Sequence, residues 1–135
     1  MIISVITLFP QIFHPLLDSS IIGKAQKQDK LKINLINLRD FGIGKYRQVD
    51  DRVYGGGVGM VLRVDVIDAA IQKSKISNLK SKVVLLDPQG KRFDQKTARR
   101  LTKEKHLVLI CGKYEGVDER VRKIVDEEIS IGDYV

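Results

Sequence analysis

Three short glycine-bearing segments each follow an apolar run. Asp87-Pro88-Gln89-Gly90 comes after Val83-Val84-Leu85-Leu86, and Gly112-Lys113-Tyr114-Glu115-Gly116 comes after Leu107-Val108-Leu109-Ile110-Cys111. Ile131-Gly132-Asp133-Tyr134 closes a shorter run near the end. In open α/β sheets ligands bind beyond the C-terminal ends of the strands. Glycine there lets backbone come close to a ligand, and free N–H and C=O groups can read an adenine edge. Tyr114 and Tyr134 can stack on a flat ring or hydrogen-bond through their hydroxyls. A glycine after one strand is an ordinary turn; three converging loops define a ligand site.

Asp50 and Asp51 precede the run Gly55-Gly56-Gly57-Val58-Gly59. A carboxylate there can accept from the N–H groups of a guanine; the alternative is a solvated pair with Arg52 as local counter-charge. The glycine run lacks the Gly-Lys-Ser/Thr ending of a phosphate loop and is expected to follow no strand, and no G-x-G-x-x-G opens a helix. Cys111 is the single cysteine, so the chain has no disulfide framework and no cysteine zinc site. It reads as a small core residue rather than a nucleophile. His106 opens a strand and reads as structural; with His14 it makes too few ligands for a metal, and no Ser-His-Asp set is visible.

These loops need a sheet to hold them. Residues 2–8 are apolar on nearly every position, as in a buried parallel strand. Phe9-Pro10 ends it, and a helical stretch runs through Ile12, Phe13, Leu16 and Leu17. Residues 32–38 form a second strand. Residues 39–60 show no periodicity, and a loop of that length is usually functional or disordered. Val64, Ile67, Ala70 and Ile71 share a helix face. Residues 83–86 are a buried strand ending in a turn at 87–90, and Asp94 caps a helix running to about 103. Residues 107–111 are another strand, 117–125 a helix, and 128–131 a short strand. Alternating strands and helices predict an α/β fold, a mostly parallel sheet with helices on both faces.

The chain has 135 residues and suits a single domain. No apolar stretch approaches the ~18 residues of a membrane span, and the start has no positive region of a secretory signal. The reading is a soluble, cytoplasmic domain without a membrane partner. Of the formal net charge of +7, residues 71–105 carry more than all, with eleven basic and three acidic side chains. Such a segment can neutralise nucleic-acid phosphates; it can equally be the solvated face of a helix bearing Lys96, Arg99, Arg100 and Lys103. Residues 115–133 are acidic instead, with seven acids against Arg120, Arg122 and Lys123.

Three long motifs then stand together: Val49-Asp50-Asp51-Arg52-Val53-Tyr54-Gly55-Gly56-Gly57-Val58-Gly59-Met60, Leu109-Ile110-Cys111-Gly112-Lys113-Tyr114-Glu115-Gly116-Val117-Asp118-Glu119-Arg120-Val121, and Ile129-Ser130-Ile131-Gly132-Asp133-Tyr134-Val135. With Ile6-Thr7-Leu8-Phe9-Pro10 and Arg39-Asp40-Phe41, they closely resemble the bacterial tRNA (guanine-N(1)-)-methyltransferases of the SPOUT class. The resemblance covers the whole chain. It implies a domain over residues 1–135 with a deep trefoil knot, one of the rare exceptions to the no-threading rule. It also implies methyl transfer from S-adenosyl-L-methionine to the guanosine immediately 3′ of a tRNA anticodon, by a homodimer with the target guanine between subunits.

In the family the cofactor is held by loops matching Leu86, Pro88 and Gly90, then Gly112, Tyr114, Glu115 and Gly116, then Ile131, Gly132, Asp133, Tyr134 and Val135. The counterparts of Asp50 and Gly59 help to read the neighbouring guanine. Val53 stands where proline is usual, Asp87 where serine is frequent and Lys113 where arginine is usual. Asp87 would put a carboxylate near the cofactor, favouring the sulfonium. The family's general base is an aspartate in an interdomain linker beyond Val135, followed by a helical tRNA-binding domain. The knot loop is therefore expected to be incomplete here, no catalytic residue is assigned within the chain, and the chain alone is expected to be inactive. The competing reading is a non-catalytic nucleotide- or RNA-binding module that keeps the cofactor fold. The expected partners are tRNA and a second copy, with neither DNA nor a metal.

Overall fold

The computed structural model describes residues 1–53, 55–113 and 116–134. Five parallel strands make the sheet: β1 (Ile2–Thr7), β2 (Lys32–Asn37), β5 (Ser81–Arg92), β6 (His106–Cys111) and β7 (Glu127–Ser130), in the order β2-β1-β6-β5-β7. β1, β6 and β5 each have a strand on both sides, which is why their sequences are apolar runs without alternation. β3 (Asp50–Arg52) and β4 (Met60–Leu62) form a separate antiparallel pair. The helices are α1 (His14–Leu17), α2 (Ser20–Lys27), α3 (Val64–Ser74) and α4 (Gln95–Leu101).

The two faces of the sheet are covered unequally. On one, Ile6, Val83, Leu85, Val108 and Ile110 pack with Val66, Ile67, Ala70 and Ile71 of α3 and with Leu38, Leu62 and Val121. Each fully buried aliphatic side chain contributes roughly 1.5–3 kcal/mol, so this face dominates the hydrophobic stabilisation. On the other, Leu101 of α4 meets Val84, Leu107 and Ile129, while Ile3, Leu86 and Leu109 stay half-buried. Helices on both faces were the expectation, and they are observed. The side chain of Asp94 accepts from the Thr97 amide at 2.7 Å, capping α4 as its type and position predict. His106 is fully buried and hydrogen-bonded on both ring nitrogens, to Ser4 Oγ (2.8 Å) and Ser81 Oγ (2.6 Å), a structural role.

Three segments differ from the sequence expectation. Residues 39–60 are not a featureless loop. They begin in a 3-10 turn (Leu38–Phe41) and end in the β3–β4 hairpin, so the glycine run does follow a strand, although a polar one of three residues. The helix expected over 117–125 shortens to a 3-10 turn at Glu119–Lys123, capped by the Asp118 side chain accepting from the Arg120 amide. Finally, 87–90 is not a turn at a strand end. β5 continues to Arg92, leaves its ladder with β7 after Leu86 and rejoins at Lys91, with both residues registered on Ile129. On the basic helix face Lys96, Arg99 and Lys103 are exposed, as both the solvated and the phosphate-binding readings require, while Arg100 pairs with Glu127 of β7. No helix among the described residues is long and apolar enough to cross a membrane.

Candidate methyl-donor site at the strand ends

β5 and β6 run in register, with Leu86 opposite Cys111, so both reach the same edge of the sheet together. There a cavity of about 460 Å3 opens, lined by Leu86, Asp87, Pro88, Gln89, Gly112, Lys113, Gly116, Val117, Glu119 and Arg122. Its size lies within the ~300–1,000 Å3 range of small-molecule sites. Four of the residues expected at the cofactor, Leu86, Pro88, Gly112 and Gly116, are brought together in its wall.

Gly90 is not in the wall but beneath it. A Cβ on Gly90 would lie 2.6 Å from the Ile129 nitrogen and 2.7 Å from the Glu128 carbonyl carbon, so the excursion packs directly on the β7 backbone. Gly112 is the opposite case, since among the described residues a Cβ there would meet Leu86 O at 3.8 Å and nothing nearer. Gly112 lines the cavity. Gly116 has φ +118, a conformation L side chains rarely adopt.

The third loop sits apart from this cavity. Ile131, Gly132, Asp133 and Tyr134 follow β7 at the same sheet edge but do not line it. Asp133 pairs with exposed Arg92 at 3.3 Å, and the Gly132 N–H donates to Ser130 Oγ at 3.2 Å. Tyr114, Glu115 and Val135 lie outside the described residues.

Asp87 lies in the cavity wall with its carboxylate engaged: Oδ1 accepts from the Gln89 amide at 2.8 Å, and Oδ2 accepts from Arg122 Nη2 at 3.4 Å. Arg122 also donates to Gln89 Oε1 (3.3 Å) and Glu119 Oε2 (2.9 Å) and pairs with Glu128. Sequence reasoning missed Arg122, and the one available signal was a basic residue inside an acidic stretch. Lys113 lies over the Phe9 ring, 4.9 Å from its centre, which brings the end of β1 to the same edge. Burial pushes the Cys111 thiol up, so it stays protonated and is a poor nucleophile, in agreement with its reading as a packing residue.

The hairpin is fastened to this edge by main-chain bonds. The Leu62 amide donates to Gly116 O at 3.1 Å, and the Asp118 amide donates to Leu62 O at 3.0 Å. Beside this junction is a smaller cavity of about 220 Å3, lined by Asp51, Arg52, Val61, Arg63, Val64, Asp65, Asp118 and Arg120. Arg63 donates twice to Asp65 at 3.0 Å and pairs with Asp51 at 3.4 Å, so Asp51 has Arg63 as its counter-charge and not Arg52. The Arg63 hydrogen bonds hold the Asp65 carboxyl below the usual range, and those of Arg120 do the same for Asp118. Asp50 pairs with Leu62 in the ladder and is half-buried, and Gly59 is exposed at φ +96; neither lines either cavity.

The domain is a parallel α/β sheet with glycine loops at its strand ends and a hairpin beside them, and its class, the knotted SPOUT fold, follows from what it matches. The structure matches a tRNA (m1G37) methyltransferase from Aquifex aeolicus with TM-score 0.89 at 40% identity, over 100% of this chain and 61% of that one, and so has this knotted fold class. The chain belongs to the tRNA (Guanine-1)-methyltransferase TrmD family, whose model matches residues 1–135. It is 52% identical over 134 residues to a tRNA (guanine-N(1)-)-methyltransferase of Carboxydothermus hydrogenoformans, covering 98% of this chain and 52% of that protein. A protein of the same name from Ruminiclostridium cellulolyticum is 49% identical over 133 residues, covering 97% and 57%. The chain thus spans about half the length of the curated relatives it matches.

Proposed function

We propose that this protein transfers a methyl group from S-adenosyl-L-methionine to N1 of the guanosine immediately 3′ of a tRNA anticodon, in the cytoplasm and as a homodimer. The observation that carries the reading is the cavity walled by residues 86–89, 112, 113, 116 and 117, with Gly112 in its wall, in a chain of this family. When bound, the donor supplies an electrophilic methyl on a sulfonium. The chain's own contribution is placement, which matters most for an in-line displacement. Leu86, Pro88 and Gly112 wall the donor's site, and the Leu62 bonds to 116 and 118 hold the hairpin bearing Asp50 and Gly59 at its rim.

Guanine N1 must lose its proton to attack well, so a base is required. Among the described residues the carboxylates in the cavity wall are Asp87 and Glu119, and both are engaged by Arg122. Glu115 of the second loop lies outside the described residues, and the family resemblance implies a base supplied from elsewhere. The dimer is supported by the apolar side chains left exposed at Phe9, Ile12, Leu16 and Ile21, and by Val58 at the hairpin tip, which is 98% exposed.

The test joins calorimetric titration with S-adenosyl-L-methionine to a methyl-transfer assay on unmodified tRNA, using the full-length protein. Saturable binding that Gly112→Val weakens about thirtyfold, with guanosine-specific methylation, is expected. Full binding by a folded Gly112→Val protein rules out this cavity, and binding without transfer favours the non-catalytic module.

A further inference from the structure

The excursion at 87–90 has given up its ladder with β7, and something else must hold its shape. Arg122 reaches it from the 3-10 turn. Its one guanidinium contacts Asp87 and Gln89 of the excursion, Glu119 of its own turn and Glu128 of β7, joining three elements. The contact is sheltered: the side chains of Arg122 and Asp87 are 20% and 9% exposed. A guanidinium presents five donors in a rigid fork, which one ammonium cannot reproduce.

We propose that Arg122 is the positioning residue of the methyl-donor loop, fixing residues 87–90 in their receptive shape before a ligand arrives. This rests on the proposed donor site, and it assigns Asp87 to loop geometry rather than to attraction of the sulfonium. Removing Arg122 leaves Asp87, Glu119 and Glu128 without the cation they share. Like charges at close range repel, and the excursion opens away from Ile129.

Amide hydrogen exchange on the ligand-free, full-length protein reads this directly. In Arg122→Gln, the amides of Asp87, Gln89 and Gly90 are expected to exchange about tenfold faster, the change produced by ~1.4 kcal/mol of local stability, while β1 and β6 stay protected. Arg122→Lys, which keeps the charge and loses the fork, is expected to lie between. Unchanged exchange at 87–90 in both variants overturns the clamp, and the lysine variant still decides if the glutamine variant does not fold.

Titration then separates geometry from charge. Affinities for S-adenosyl-L-methionine and for the demethylated, uncharged-sulfur product are expected to fall together in Arg122→Gln and in Asp87→Asn. A fall confined to the sulfonium ligand overturns the positioning role in favour of charge attraction, and no fall in either overturns it outright. Failure of the unsubstituted protein to bind either ligand sinks the proposed donor site, whereas the exchange experiment judges the clamp independently.

Discussion

The two loops that wall the cavity look alike in sequence and work differently. Residues 87–90 form an excursion within one long strand, sealed onto its neighbour through Gly90 and braced from the side by Arg122. Gly112 follows the end of β6, and among the described residues there is room beside it. One glycine is there because backbone already fills the place of a side chain, whereas the other leaves a place for something else to fill. Residue type after a strand therefore does not separate a folding requirement from a binding one; the neighbouring atoms do.

The sharpest way to break this contrast is to add a side chain at each glycine. Gly90→Ala drives a Cβ into the backbone of Glu128 and Ile129. Overpacking against backbone should cost about 3 kcal/mol, the upper end of the usual range. Thermal unfolding should then show a melting temperature lower by roughly 10 °C for a chain of this size. An unshifted transition would mean that the excursion is not sealed at all.

Gly112→Val should do the reverse. Stability stays within about 0.5 kcal/mol, while donor affinity falls about thirtyfold, the equivalent of ~2 kcal/mol. If calorimetry instead finds unfolding with no separable binding defect, the two glycines have the same job.

Gly116→Ala tests the far end of the second loop. Its φ of +118 costs an alanine about 1–3 kcal/mol, and the strain should be relieved by releasing the Leu62 amide that donates to Gly116 O. Faster exchange of the Leu62 amide is the expected signature, and an unaltered rate there counts against the coupling of hairpin and loop.

The smallest effect belongs to His106, at the start of β6 and so at the opposite end of the strand from both loops. Burial lowers its pKa, which keeps the folded imidazole neutral. The unfolded chain takes up a proton as pH falls through about 6.5. Its contribution is therefore fully present above that value and is lost progressively below it. His106→Gln should flatten the decline in stability between about pH 7 and 5 without moving donor affinity at neutral pH. Equal slopes in the two proteins would show that His106 does not carry the effect.

Legibility followed burial. β1, β5, β6 and α3 were readable because strands paired on both sides and helices packed on a core must be apolar where they touch. Val66 proved more buried than Val64 on α3, a shift of the stripe that leaves the helix unchanged. The β3–β4 hairpin left no such mark. Asp50, Asp51 and Arg52 are polar, and their pairing is held by bonds from Leu62 to residues 116 and 118, over fifty positions away.

Within the site, the glycine loops and the family motifs were visible in the residues themselves. Leu86, Pro88, Gly112 and Gly116 duly meet in one wall. The role of Asp87 was not visible, because its partner Arg122 is 35 positions along the chain. Composition and short-range pattern determine which stretches must be buried and which turns glycine permits, since these depend on a residue and its few neighbours. Which carboxylate meets which guanidinium depends on the order in which parallel strands are laid side by side. β5 lies between β6 and β7, and only that order brings the excursion at 87–90, the turn carrying Arg122 and Glu128 of β7 to one point.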